Sequence, residues 1–125
     1  MAKSAYLRSR LLKHALAIAS YTMPTNTYLA LFTVDPTINN SGTEVVGGSY
    51  ARQLIDWGTE ANGEVANDAT VAFTNLPACT ITHWGIYDAS TVGNLLFLGQ
   101  FEIPIIRTAS QSLDIVVGNL ALREE

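Results

Sequence analysis

Within "THWGIYDASTVGNLLF", Thr82 to Phe97, His83, Asp88 and Ser90 stand close together, beside Trp84. These are the residue types of a hydroxyl nucleophile, its imidazole base and the carboxylate that orients the base. That chemistry needs the nucleophile on an exposed, activating turn, with an oxyanion frame beside it. The chain has no G-x-S-x-G, and Ser90 falls in the polar run "DASTVGN". Read as a regular strand, "ITHWGIYD" places Ile81, His83, Gly85 and Tyr87 on one face and Thr82, Trp84, Ile86 and Asp88 on the other. His83 and Trp84 then point in opposite directions and cannot share a pocket. Asp, Ser, Gly and Asn are the residues that bond their own backbone or accept positive φ in turns, so Asp88 reads as a turn cap ahead of a general base.

Other reactive patterns are weaker. Cys79-x3-His83, with His14 elsewhere, falls short of the four-ligand set of a zinc site. Glu44, Asp56, Asp88 and Glu102 are scattered carboxylates, and nothing singles out a pair for glycoside hydrolysis. "VVGGS" lacks the strand–glycine–helix context and the lysine of a phosphate loop. Trp57, Trp84 and Tyr50 have the faces to stack on sugar, which would make a host-glycan binding module; aromatics that fill a small core have the same composition. The expectation is no catalytic residue, no metal ligand and no cofactor, with Trp57 and Trp84 kept as candidate glycan-stacking residues.

The elements that would position these residues follow from composition and period. The chain has 125 residues, enough for one domain that buries about two thirds of its unfolded surface. Charged residues make up 14%, well under the roughly 25% usual for a soluble domain, which points to a surface partly covered by other subunits. Net charge is −4, against a general nucleic-acid binder. Its distribution is uneven. Lys3, Arg8, Arg10 and Lys13 fall in the first 34 residues, which hold no acid, whereas three arginines face eleven acids in the remainder, a net of −8. Such a chain can pair head to tail with copies of itself, or grip an acidic partner with its basic arm. One cysteine excludes an intramolecular disulfide. No stretch approaches the ~20 apolar residues of a membrane span. "ALAIAS" is too short for the apolar region of a secretion signal, so a chain made and used without export is expected.

Ser4 can cap a helix running to about Ser20, with Leu7, Leu11, Ala15 and Ile18 as its apolar stripe and Arg8, Arg10 and Lys13 off it. Met23-Pro24 would end it. Such a helix either covers its own sheet or docks on a neighbouring subunit. From Thr27 the period becomes two. "TYLALFTV" is apolar on both faces, a central strand; "YARQLIDW", "TVAFT", "TITHWGIY", "NLLFLGQF", "QSLDIVVG" and "NLALR" follow between polar, Gly- and Asn-rich loops. About seven short strands with one helix in front predict a mainly β fold, an antiparallel β-sandwich over residues 23–125 preceded by a helical arm over 1–22. No repeat of fixed period and no long linker divides the chain.

Five ordered blocks also carry a resemblance: "TYLALFTVDPT", "GTEVVGGSYARQLIDWG", "AND", "ITHWGIYDASTVGNLLFLGQF" and "LDIVVGNLAL". Together they resemble a family of small tailed-bacteriophage virion proteins, head-decoration or tail-fibre-like, with a Y-x-A-L-F-T-x-D-P strand and turn, a G-T-E-V loop, a Y-A-R strand, a T-H-x-G-I-[YF]-D-A hairpin and a G-N-L-L-F strand. Where the family has a tip such as A-T-G-G-N, this chain has Ser90-Thr91-Val92-Gly93-Asn94, leaving Val92 exposed. The resemblance implies a non-enzymatic structural role in the virion, assembled in the host cytoplasm. The leading expectation is an accessory subunit decorating or cementing the capsid as a homo-oligomer, a trimer favoured. Lys3, Arg8, Arg10, Lys13 and Val92 would form its interface with major capsid or other virion proteins. The alternatives are a tail or fibre-attachment subunit and the host-glycan binding module; neither nucleic acid nor membrane is expected as partner.

Overall fold

The architecture follows from one strand that has no polar face. In a computed structural model, which describes residues 1–124, Tyr28–Val34 forms β2, and Leu29, Ala30, Leu31 and Phe32 are all buried. A strand buried on both sides needs neighbours at both edges and a layer on each face. One edge pairs antiparallel with β7 (Cys79–Tyr87); the other is shared by two two-residue strands, β3 (Thr43–Glu44) and β4 (Gln53–Leu54). Beyond β7 lies β8 (Leu95–Arg107), and the outer edge of β8 takes β1 (Ala2–Lys3), giving the order β1-β8-β7-β2-β3.

A second layer is built from two antiparallel pairs of strands distant in sequence, β6 (Val71–Leu76) with β9 (Gln111–Ile115), and β5 (Glu64–Ala66) with β10 (Ala121–Arg123). Leu29, Leu31, Phe73, Leu76, Ile81 and Ile86 meet in the main core between the layers. On the opposite face of the large sheet, Ala30, Phe32, Tyr87, Leu95 and Leu98 form a smaller cluster. The fold is mainly β and sandwich-like, with antiparallel sheets and one helix, as predicted. Among the described residues there are ten strands rather than seven. The additions are mostly two or three residues long, too short for a period-two signal to register.

Three local readings are corrected. The helix, α1, runs Ala5–Ala15 and does not reach Ser20. Ser4 does cap it, its hydroxyl oxygen accepting from Leu7 N at 3.1 Å and donating to the Leu95 carbonyl. The stop comes well before Pro24: Ala17 turns left-handed (φ 59°), and Ile18 and Ala19 both donate to the Lys13 carbonyl. Of the expected stripe only Leu7 is buried; past it the helix has left the sheet, so no packing extends it. "YARQLIDW" contributes only Gln53–Leu54 to a ladder, because Tyr50 and Arg52 turn their polar ends elsewhere. Finally, Ile81 does not share a face with His83. Between them β7 advances from Ile81 to His83 while β8 moves from Ile105 to Gln100. The excess on β8 holds Pro104, which has no N–H for a ladder. Ile81 joins Trp84 and Ile86 on the main core while His83 stays with Gly85 and Tyr87 on the other side, so the alternation slips within β7 itself, at Thr82.

The "AND" block has a structural purpose. Asn67, 2% exposed, donates from Nδ2 to the carbonyls of Ala69, Ile115 and Val116, and its Oδ1 accepts from the amides of Gly118 and Leu120. One side chain thereby closes the turn between β9 and β10 onto the end of β5. No aliphatic residue replaces those bonds, and of the backbone groups left behind the Leu120 amide is buried and the others are partly so. Asn67→Leu is expected to cost about 3 kcal/mol in denaturant-monitored unfolding; a loss below about 1 kcal/mol would show that the turn closes without it.

Candidate functional site

The residues singled out for chemistry are not brought together. His83 lies at the middle of β7, five residues from Asp88 and so about 16 Å away at strand rise. Its Nδ1 is 2.8 Å from Thr82 Oγ1 and its Nε2 3.8 Å from Asp35 Oδ2. The Thr82 hydroxyl in turn donates to the Thr33 carbonyl, so this string ties β7 to the end of β2. Asp88 caps the hairpin between β7 and β8: Oδ1 accepts from Asn94 N at 2.7 Å and Oδ2 from Asn94 Nδ2 at 3.0 Å. Among the described residues no group of three potential metal ligands converges. Burial pushes the Cys79 thiol up, with nearby Arg107 pulling the other way.

The polar centre of the molecule is Arg52, a residue that sequence reasoning passed over. Its side chain is 9% exposed. Nε and Nη2 each donate to a Glu44 carboxylate oxygen at 3.0 Å, a two-pronged pair. Nη1 donates to the carbonyls of Ala89 (3.1 Å) and Val92 (2.6 Å), and the guanidinium lies 3.6 Å over the centre of the Tyr87 ring. Tyr50 completes the clasp. Its hydroxyl donates to Glu44 Oε2 and accepts from Leu31 N, while its ring stacks on Phe73 of the second layer. The Tyr87 hydroxyl donates to Asn40 Oδ1 at 2.6 Å, holding the loop after β2. The available signal was the recurrence of these residues in the G-T-E-V, Y-A-R and G-I-[YF]-D-A blocks; spacing could not show that the three blocks meet.

The clasp sets the hairpin tip. Val92 has φ 56° and is 85% exposed. A β-branched residue rarely adopts that backbone conformation, which persists only where the surroundings hold it; here Arg52 grips the Val92 carbonyl. The tip offers a fixed apolar point to solvent.

The basic candidates divide. Lys3 pairs with Glu124 within the chain, beside the strand that stitches the N-terminus to β8. Arg8, Arg10 and Lys13 are exposed on α1, with Arg10 5.2 Å over the Tyr6 ring. The two tryptophans sit on different surfaces. Trp57 donates from Nε1 to Thr27 Oγ1 and lines an open groove of about 440 Å3 with Val65, Phe97 and Leu122, flanked by Glu60 and Glu64. Trp84 packs across Gly99, where a Cβ would fall 2.3 Å from its indole, and borders a separate hollow beside Phe101 and Ile105. No helix among the described residues is long and apolar enough to cross a membrane.

The small sandwich-like body, with its clasped hairpin and short basic helix, does not by itself assign a class of protein. The particular assignment comes from the chain as a whole: the family model of Podophage GP4 fiber I protein gp80 matches residues 2–123, and the chain belongs to that family. No curated protein matches it.

Two outcomes test the clasp. Arg52→Ala leaves the Glu44 carboxylate with the Tyr50 hydroxyl but no cation and is expected to cost about 3 kcal/mol, with faster amide exchange over residues 89–94; Arg52→Lys, lacking the fork, should recover only part of it. The phenols give a pH signature. Burial, then the bond to Glu44, raises the Tyr50 pKa, and burial raises that of Tyr87. In both, the protonated form is favoured on folding, so their contribution is complete below about pH 10 and fades above it, where the unfolded chain ionises first. Denaturant melts across about pH 9 to 11.5 should show that fall, and Tyr50→Phe should make it shallower; an identical slope in the variant would exclude Tyr50 as its source.

Proposed function

We propose that this protein is a non-enzymatic subunit of a bacteriophage fibre, acting through fixed contacts rather than chemistry, and that it works as a homo-oligomer, a trimer favoured. The observation that carries the reading is the match to a phage fibre family over residues 2–123. It reverses the order expected from sequence: fibre or tail attachment now leads, and capsid decoration follows. The internal bonding supports a contact role, since Glu44, Arg52, Asp88 and Asn67 are each engaged in shaping a turn or loop. The contact surfaces in this reading are the exposed cations of the arm, Arg8, Arg10 and Lys13, and the tip residue Val92; Lys3 anchors the arm to Glu124.

Gradient-purified particles should contain the chain at roughly a few to a few dozen copies, as expected of a tail appendage, with antibody label at the fibres in negative-stain images. Label spread over the head at roughly hundreds of copies would restore the decoration reading; absence from particles would end the virion role.

A further inference from the structure

Two open apolar surfaces of this chain carry opposite charge. One is the outer end of α1. Leu12 and Leu16 are each 62% exposed and stand one turn apart on one face, and Ile18 just beyond is 67% exposed. Arg8, Arg10 and Lys13 surround them and make no ion pair with any described acid. The other is the Trp57 groove, floored by Val65, Phe97 and Leu122 and bordered by the segment 56–68, which holds four acids and no base. Two local pairs temper that charge, Glu64 with Arg123 and Glu124 with Lys3, while Glu60 pairs with no cation among the described residues and accepts only from Gly63 N.

Each surface has what the other lacks. A helix of 11 residues is marginal when it packs on nothing, and only Leu7 of α1 is buried on its own sheet. The groove takes none of its lining from α1; Arg8 comes beside its rim residues Arg123 and Glu124, but Leu12 and Leu16 do not reach it within one molecule. Across molecules, two leucines one turn apart match an apolar trough flanked by aromatic walls, and lysine and arginine flanks match its glutamates.

We propose that the outer end of α1 of one copy seats Leu12 and Leu16 in the Trp57–Phe97 groove of a second copy, with Lys13 facing the Glu60 side of the rim. Donor and acceptor patches differ, so the contact is head to tail: each copy gives one helix and receives one, and the chain of contacts ends when a ring closes. This assigns a partner to the arm and rests on the function proposed above only for its setting in the virion.

The test is sedimentation of the purified full chain by analytical ultracentrifugation over a concentration series, with no particle present. Wild type should self-associate, more weakly as salt rises from about 0.05 to 0.5 M. Leu12→Asp with Leu16→Asp, both at exposed positions, should weaken association at least about tenfold. Lys13→Glu should weaken it severalfold, and adding Glu60→Lys should restore most of the loss. A cysteine trap reads the contact directly: on a Cys79→Ser background, Leu16→Cys with Glu60→Cys should give intermolecular disulfides, and Leu16→Cys with Ile103→Cys, a distant exposed position, should not. A monomer at every concentration, association indifferent to the leucine changes, or equal cross-linking at 60 and 103 overturns the proposal. A monomeric chain that still joins particles would sink this contact alone; a chain that associates as described but is missing from particles would sink only the virion role.

Discussion

A guanidinium taken almost wholly out of water persists only where other groups replace its hydration. Arg52 meets that condition with a carboxylate, two carbonyls and an aromatic face, and each of these comes from a different segment. Glu44 belongs to the edge of the large sheet, Tyr87 to its centre, and Ala89 and Val92 to the hairpin beyond. Tyr50 carries the same network into the second layer through its stack on Phe73. A single ion pair thus fixes how sheet edge, hairpin and second layer sit together.

Its consequence is a rigid tip. Without Arg52, Val92 would leave its left-handed conformation for one that suits a branched side chain. With it, an apolar group is displayed at the end of a hairpin closed again by Asp88 and Asn94. The opposite strategy holds at the N-terminus. There β1, the Ser4 cap and Leu7 tie down only the root of the helix, and its outer half stands off the sheet with leucines in water. One contact surface is preset by an internal ion pair; the other is a short helix whose outer face lacks packing of its own.

Much of the fold was legible because it rests on local pattern. A strand apolar on both faces had to be central, and β2 is. Asp88 in a polar run between two strands had to cap a turn, and it does. The errors arose where a non-local fact overrode a local one. Ile81 changed sides because the pairing of β7 with β8 shifts register between Ile81 and His83. The helix stopped at Ala15 because the sheet beneath it had ended, well short of the proline that would have stopped it anyway. Two-residue strands such as β3 exist only because a partner is present, so no period announces them.

The linear order of residues was enough to settle the β class, the central strand, the capped hairpin and the split between a basic arm and an acidic body, since each depends on neighbours within a turn or a strand. It could not place Glu44, Arg52 and Tyr87 in one cluster, nor separate Trp57 from Trp84 onto different surfaces. Those outcomes depend on which segments lie side by side after the sheets pair, and a pairing between strands dozens of residues apart leaves no mark on the spacing within either one.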